Sequence, residues 1–204
     1  MNQISRLADL PHEAPRADFR TAMRRLAGGV SVITAGSGSE ISGMTVTSVS
    51  SLSVDPPSLI VAVNRASSSW RLLQRHRYFG VNFLNADQVD IAERFTGKDG
   101  HKGADRFAGA RWTERASGVR LLAGALAAIE CEAEDIIERH SHAIVIGRVL
   151  HVELSPHEAA LAYWHGDYVT IDREGDMVRL ADVSLPVGHV REGGVVSRFT
   201  RLEG

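Results

Sequence analysis

The chain has 204 residues, of which 44% are hydrophobic and 24% are charged, as expected for one globular domain with a sizeable core. Its net charge of −2 argues against a nucleic acid partner, because a surface that binds phosphate backbones is basic. The single cysteine, Cys131, excludes an intrachain disulfide and is predicted to be a buried packing residue.

Residues 1–15 are predicted to form a flexible N-terminal arm. The segment from Met1 to Ala14 lacks the basic start and apolar block of a signal peptide. No uninterrupted apolar run approaches the length that crosses a bilayer. We therefore expect a cytoplasmic protein without a membrane partner.

Predicted elements follow one another closely along the chain. Asp18 is a candidate N-cap for an amphipathic helix over Phe19–Ala27, which Gly28 and Gly29 would end. The elements after it are a strand over 30–34, a turn at 36–39, strands over 41–47 and 59–63, a helix from Ser67 to about His76, a strand over 78–84, a helix over 87–95, strands over 127–137 and 142–152, a helical turn at 156–160 and an aromatic turn at 163–168. Residues 171–204 are predicted to be a C-terminal extension. Many strands with few and short helices favour a mainly antiparallel β-barrel.

An uncharged stretch over 41–54 stands out from the rest of the chain. It has six small hydroxyl side chains within nine residues: Thr45, Thr47, Ser48, Ser50, Ser51 and Ser53. We expect a strand that runs into an irregular loop, ended by Asp55, Pro56 and Pro57. Small side chains would let a flat ligand approach the backbone closely. The alternative interpretation is a Ser/Thr-rich surface loop without a ligand.

Two further segments could bind a phosphate group. Ser67, Ser68 and Ser69 come at the predicted start of a helix, where hydroxyls and free N–H groups suit an anion, although a plain N-cap has the same sequence. A Gly-rich segment over 96–109 is predicted to be a lid or a ligand-contacting loop. Within it, Arg106 is a candidate phosphate ligand or else a solvated arginine.

His140 and His142 would share one face if both lay in the strand that follows. A metal pair is not supported, because no third ligand comes at a matching spacing, and we predict no metal site. The alternatives are a histidine that orients a substrate and a hydrogen-bonded histidine at the rim of a barrel. The aromatic turn at 163–168 could stack on a nucleotide ring or pack in the core.

Five segments together resemble the flavin reductase family of split-barrel proteins, the small components of two-component flavin monooxygenases. The matching segments are Leu26-Ala-Gly-Gly-Val-Ser-Val-Ile-Thr34, Gly43-Met-Thr-Val-Thr-Ser-x-x-Ser-x-Ser-x-Asp-Pro-Pro57, Val63-Asn-Arg-x-Ser67, Phe79-Gly-Val-Asn-Phe-Leu84, and His142 ahead of Ile146-Gly-Arg-Val149. Where many members of the family have Gly-Asp-His, this chain has His140-Ser141-His142.

The resemblance implies a homodimer of mainly β, FMN-binding split barrels with peripheral helices, formed by residues 16–170, with the flavin at the subunit junction. It implies FMN or FAD as the flavin, NADH or NADPH as the hydride donor, and a monooxygenase as the partner that receives reduced flavin. The flavin-binding residues that it implies are Thr45, Val46, Thr47, Ser48, Ser51, Asn64, Ser67, Ser68, Ser69 and Arg106. The nicotinamide-binding residues that it implies are His142, which would position the nicotinamide, and Trp164, Gly166 and Tyr168.

The resulting hypothesis is an NAD(P)H:flavin oxidoreductase. Hydride transfer between two bound rings needs binding and alignment more than a strong acid, base or nucleophile, which suits neutral hydroxyls and backbone groups. One alternative is a flavin-binding, storage or electron-transfer barrel without catalysis, which the altered residues before His142 motivate. Another is a split barrel that handles haem or pyridoxal phosphate.

Overall fold

A computed structural model describes residues 14–172 of the chain, and the regular elements in this part are mostly strands. The helices are α1 (Arg16–Arg24), α2 (Ser68–His76), α3 (Val89–Thr96) and a 3₁₀ helix (Gly103–Phe107). The strands are β1 (Gly28–Gly29), β2 (Ser31–Ser37), β3 (Glu40–Val46), β4 (Val49–Val54), β5 (Pro57–Asn64), β6 (Tyr78–Phe83), β7 (Trp112–Glu114), β8 (Arg120–Leu122), β9 (Ala127–Arg139), β10 (His142–Leu154), β11 (Ala160–Trp164) and β12 (Asp167–Ile171). The predictions for residues 1–13 and 173–204 lie outside the described residues.

The largest sheet has seven antiparallel strands in the order β3-β2-β6-β9-β10-β5-β4. Its two end strands, β3 and β4, are separated in sequence only by Thr47 and Ser48. Three peptide units span at most about 11 Å, so the two edges of the sheet must come close together at this connection. The prediction of a mainly β, antiparallel fold with few helices is confirmed.

Two apolar clusters lie on opposite faces of the strands near this connection. One contains Ile33, Phe79 and Val145 with side chains from β5, β9 and α2. The other contains Val32 and Phe95 with side chains from β8, β11 and the 3₁₀ helix. Because successive side chains of a strand point to opposite faces, β2 supplies both clusters and is buried without a break from Ser31 to Gly36.

The predicted core role of Cys131 is confirmed. Its side chain is fully buried in the first cluster, where β9 pairs with β6 and β10. Burial, with a smaller contribution from the charge of Glu130, raises the pKa of the Cys131 thiol to about 12. The thiol is therefore protonated at neutral pH and serves packing.

The first predicted helix is wrong in its bounds. It begins at Arg16 after Pro15, whose fixed φ suits a helix start, and Asp18 lies inside the first turn where its charge favours the helix dipole. None of its residues is buried, and Phe19 and Leu26 are 60% and 65% exposed.

Two other local predictions are also wrong. The segment expected to be an irregular loop contains β4, which pairs with β5 through a bulge between Ser51 and Ser53. Tertiary pairing outweighs the serine content, and Ser53 Oγ accepts a hydrogen bond from the backbone N–H of Asp55 at the strand end. Residues 156–160 form no helical turn, and Ala160 begins β11 instead.

Within residues 14–172, every helix is too short and too polar to cross a bilayer.

Gly43 in β3 tests the tight packing beneath the uncharged stretch. A Cβ added there would lie 2.5 Å from Phe95 Cε1 and 2.6 Å from the backbone oxygen of Ile33. We expect Gly43→Ala to lower the free energy of unfolding by about 1–3 kcal/mol, because overpacking forces the backbone to shift. The measurement is urea denaturation followed by circular dichroism.

Gly29→Ala is the matched control, since a Cβ added at Gly29 meets no atom within 4 Å. It should change the free energy of unfolding by no more than about 0.5 kcal/mol. Equal stability of both variants and the parent protein would contradict the packing described for β3.

Candidate functional site

A cleft of about 750 Å³ lies beside the connection between β3 and β4. This volume is within the range of about 300–1,000 Å³ that is usual for pockets that take small molecules. The cleft is lined by Val30, Met44, Thr45, Val46, Thr47, Ser48, Ala62, Asn64, Ala66, Ser67, Ser68, Phe95, Thr96, Lys98, Lys102, Arg106, His142, Tyr163 and Tyr168.

Most of the residues predicted from the sequence come together here. Those that line the cleft are Thr45, Val46, Thr47, Ser48, Asn64, Ser67, Ser68, Arg106, His142 and Tyr168. The four that lie outside its lining are Ser51, Ser69, Trp164 and Gly166. The roles of all of them in binding remain predictions.

The hydroxyls of the uncharged stretch hold the connection between β3 and β4 in place. Thr45 Oγ1 donates to the backbone oxygen of Ala92 in α3, and Ser48 Oγ donates at 2.9 Å to the backbone oxygen of Ala62 in β5. Each proton is used inside the protein, so these oxygens keep only acceptor capacity toward a ligand.

Ser67 occupies the N-cap position of α2 without making a capping hydrogen bond. Its Oγ is buried, and within residues 14–172 it has no hydrogen-bond partner. A buried hydroxyl without a partner is unfavourable, and here it lies at the positive end of a helix dipole. Ser67 therefore does not act as a plain N-cap. A bound anion would accept hydrogen bonds from its hydroxyl and from the free N–H groups at the start of α2.

The two serines that follow differ in their surroundings. Ser68 is exposed, lines the cleft and shares a hydrogen bond of 2.7 Å with Ser42 Oγ. Ser69 is fully buried and donates to the same Ser42 oxygen at 3.3 Å. Helical geometry turns consecutive side chains by about 100°, which separates Ser69 from the cleft.

The aromatic turn contributes a different residue from the one predicted. Tyr163 and Tyr168 are paired across β11 and β12, both line the cleft, and their ring centroids are 5.4 Å apart. Trp164 points to the other face, where its Nε1 donates to the backbone oxygen of Arg25 at 3.0 Å. Burial, with smaller contributions from Glu93 and Tyr163, raises the pKa of Tyr168, so its hydroxyl is neutral at physiological pH.

Arg106 is tied into the wall of the cleft. Its Nη1 donates to the backbone oxygens of Gly43 and Phe95, and its Nε donates to that of His101 at 3.0 Å. Burial lowers the pKa of the guanidinium, which nevertheless stays charged at neutral pH. Arg106 thus joins β3, α3 and the Gly-rich loop through Nε and Nη1, and its contact with phosphate stays a prediction.

The two histidines do not share a strand face. His140 lies in the turn before β10 with φ of 50°, and only His142 belongs to the strand. His142 pairs with Asn64 of β5, lines the cleft, and its Nδ1 is 2.9 Å from Ser141 Oγ. Among the described residues, no three His, Cys, Asp or Glu side chains are grouped so that they could hold a metal ion.

Sequence reasoning missed nine lining residues: Val30, Met44, Ala62, Ala66, Phe95, Thr96, Lys98, Lys102 and Tyr163. Lys98 and Lys102 belong to the Gly-rich loop that was expected to contact a ligand, and their charge was the available signal. The apolar residues among these nine have the sequence pattern of ordinary core positions in strands and helices. Their assignment to a cleft depends on how the two sheet edges meet.

Comparisons with known proteins agree on one family. The family model described as flavin reductase like domain matches residues 23–172. The chain is 35% identical over 171 residues to the reductase component of the FADH(2)-dependent resorcinol hydroxylase of Rhizobium sp. (strain MTP-10005), covering 83% of this chain and 94% of that protein. It is 31% identical to the FMN reductase (NADH) RutF of Serratia proteamaculans (strain 568), covering 82% and 97%.

Solved structures give the same result. The Streptomyces globisporus C-1027 NADH:FAD oxidoreductase SgcE6, in complex with NAD and FAD fragments, superposes with a TM-score of 0.72 at 28% identity. The alignment covers 82% of this chain and 99% of that one. The described part of this chain therefore has the fold of that protein.

A negative charge at the start of α2 tests whether this helix end binds phosphate. We expect Ser68→Asp to raise the dissociation constant for FMN by roughly tenfold, since the carboxylate repels the phosphate across a few ångströms. The helix itself should tolerate the change, because a carboxylate suits the first turn. The measurement is quenching of FMN fluorescence on titration with protein.

Ser50→Asp is the control, because Ser50 is exposed on β4 and lies outside the lining of the cleft. It adds the same charge and should leave the FMN dissociation constant within about twofold. The same weakening by both variants, or no weakening by Ser68→Asp, would place the phosphate away from α2.

Proposed function

Since this chain belongs to the flavin reductase like domain family, we infer that it is an NAD(P)H-dependent flavin reductase that supplies reduced flavin to a partner monooxygenase. The observation that carries this proposal is the chemical character of the cleft. Its lining combines neutral hydroxyls and apolar side chains with Lys98, Lys102 and Arg106, and none of the described residues that line it is Asp or Glu. A protein with more acidic than basic residues thus has a cleft suited to anionic nucleotides.

The lining also matches the shape and chemistry of a flavin nucleotide. Val46 and Ala62 offer apolar surface to a flat ring, and Ser67 with the N-terminus of α2 offers donors to a phosphate. When bound, the flavin supplies an acceptor for hydride and the nicotinamide dinucleotide supplies the hydride. The cleft residues fit a flavin nucleotide, because its phosphate would give the buried Ser67 hydroxyl the hydrogen-bond partner that it lacks.

The protein's own task is to bind and align two rings and to keep water away. We propose that Thr45, Val46 and Thr47 hold the flavin ring through backbone groups, which can stabilise negative charge as it develops at the ring edge. His142, at the rim of the cleft opposite Asn64, would position the nicotinamide. Hydride transfer needs no side chain as nucleophile or strong acid, so we propose that the protein accelerates it mainly by proximity and orientation.

The names of relatives support the choice of substrates. RutF is named an NADH-dependent FMN reductase, and SgcE6 an NADH:FAD oxidoreductase. The relative from Rhizobium is the reductase component of an FADH(2)-dependent hydroxylase. We accordingly propose NADH or NADPH as donor, FMN or FAD as acceptor, and a cytoplasmic location, where reduced nicotinamide dinucleotides are regenerated.

We also propose that the protein is a homodimer of split barrels. The close approach of the β3 and β4 edges supports a barrel that is open at one seam. On the outer face of the sheet, Ala62, Ile144 and Ile137 are paired across β5, β10 and β9. Ile144 and Ile137 are each 40% exposed, and Ala62 also lines the cleft. A second copy covering this apolar row would bring the subunit junction to the cleft.

The function is tested by steady-state oxidation of NADH and NADPH with FMN, FAD and riboflavin as acceptors. We expect absorbance at 340 nm to fall only when both a dinucleotide and a flavin are present. Flavin binding without oxidation by either dinucleotide would contradict the reductase and support the storage alternative. Failure to bind any flavin would exclude both.

His142→Ala tests the positioning role. We expect it to raise the Michaelis constant for the dinucleotide by roughly tenfold and to change the flavin dissociation constant little, because the imidazole would contact only the nicotinamide. His157→Ala is the control, since His157 is exposed and outside the cleft lining. Equal losses of both affinities in His142→Ala would contradict this role.

A further inference from the structure

His142 enters the cleft from a short turn whose backbone is unusual. β9 ends at Arg139 and β10 begins at His142, so His140 and Ser141 make the whole connection. His140 has φ of 50°, in the left-handed region that residues other than glycine rarely adopt. Hairpin loops of this length usually have glycine, asparagine or aspartate at such a position. The turn that carries His142 therefore needs support from another part of the chain.

Arg65, in the loop between β5 and α2, supplies this support. Its backbone N–H donates to the backbone oxygen of Ser141 at 3.0 Å, and its Nη1 donates to that of His140 at 3.0 Å. Its Nη2 lies 2.5 Å from Oε2 of Glu138, near the end of β9. One residue thus bonds both carbonyls of the turn, and the planar guanidinium fixes the directions of its donors.

Glu138 links the same arginine to helix α2. Its Oε1 accepts a hydrogen bond from Gln74 Nε2 at 3.3 Å, while its Oε2 pairs with Arg65. The side chains of Arg65 and Glu138 are each 41% exposed, so the pair adds little to the stability of the whole fold. Its effect is geometric, because it holds the guanidinium where Nη1 reaches the carbonyl of His140.

Arg65 itself lies outside the lining of the cleft, although its neighbours Asn64 and Ala66 line it. The loop that contains these residues is closed by bonds of its own. The backbone N–H of Ser67 donates to the backbone oxygen of Asn64 at 3.0 Å, and that of Ala66 donates to Asn64 Oδ1 at 2.9 Å. The start of α2 therefore keeps its shape without the Arg65 side chain, whose removal should act on the turn before β10.

We propose that Arg65 is a positioning residue, which holds the turn over His140 and Ser141 so that the imidazole of His142 faces the cleft. This inference rests on the proposed function, in which His142 contacts the nicotinamide. Ser141 Oγ lies 2.9 Å from His142 Nδ1, so a shift of the turn is passed on to the imidazole. Loss of the Arg65 side chain should therefore weaken binding of the dinucleotide and leave binding of the flavin intact.

The test measures Arg65→Ala in two backgrounds. In the parent protein, we expect the Michaelis constant for NADH to rise roughly fivefold, the size of one lost hydrogen bond, while the FMN dissociation constant stays within about twofold. In the His142→Ala background, the same substitution should raise the Michaelis constant by less than about twofold, because its effect passes through the imidazole. An unchanged Michaelis constant in Arg65→Ala, or an equal rise in both backgrounds, would overturn the proposal.

Arg75→Ala is the matched control. Arg75 is an exposed arginine of α2 whose side chain bonds only His76 and Glu40 among the described residues, so its loss should change neither constant.

His140→Gly tests whether the effect of Arg65 acts through the turn. Glycine adopts the left-handed region without support, so Arg65→Ala should raise the Michaelis constant less in the His140→Gly background than in the parent protein. An equal rise in these two backgrounds would place the effect of Arg65 outside the turn and overturn the proposal.

Hydrogen exchange of the ligand-free protein, followed by mass spectrometry, gives a measurement that does not depend on turnover. Arg65→Ala should speed exchange of the backbone amides over residues 138–143 and leave those of α2 near the parent rate. Unchanged exchange over 138–143 would overturn the proposal. A parent protein that oxidises neither dinucleotide, together with faster exchange over 138–143 in the variant, would instead contradict the proposed function and support the role of Arg65 in holding the turn.

Discussion

The short connection through Thr47 and Ser48 is the constraint on which the rest of the molecule depends. It joins the two end strands of a seven-stranded sheet and therefore brings opposite edges of that sheet together. The hydroxyls of Thr45 and Ser48 satisfy backbone oxygens of α3 and β5, and the cleft opens directly beside them.

Charge is distributed unevenly between the fold and the cleft. Arginines hold the structure, as Arg106 does with three carbonyls and Arg115 does with Glu130 and Glu153. The two lysines face the cleft without a partner among the described residues. Hydride transfer between two bound rings requires a protein mainly to bind and align them.

The sequence predicted the fold best where the signal was local. The apolar runs of β5 and β10 predict strands without knowledge of their neighbours. The apolar spacing after Ser67 predicts the helix α2 in the same way. The sequence predicts a loop where the edge strand β4 lies, because an edge strand is partly exposed and its serines have weak strand propensity. The helix α1 shows the limit of capping signals, since it begins at Arg16 after Pro15 although Asp18 is the predicted N-cap.

The candidate site was predictable in its centre and less so at its margins. Thr45 to Ser48 were identified because an uncharged hydroxyl run is unusual in the sequence. Trp164 was chosen over Tyr163 because register, which sequence does not specify, decides which of two adjacent aromatic residues faces the cleft. Lys98 and Lys102 were not selected, because the path of their loop is set by contacts of Arg106 that are distant in sequence.

The most direct measurement is a crystal structure of the protein with FMN bound. We expect the flavin ring to lie against Thr45, Val46 and Thr47, with a phosphate oxygen within hydrogen-bonding distance of Ser67 Oγ. A flavin ring bound elsewhere, with Ser67 Oγ still lacking a partner, would contradict it.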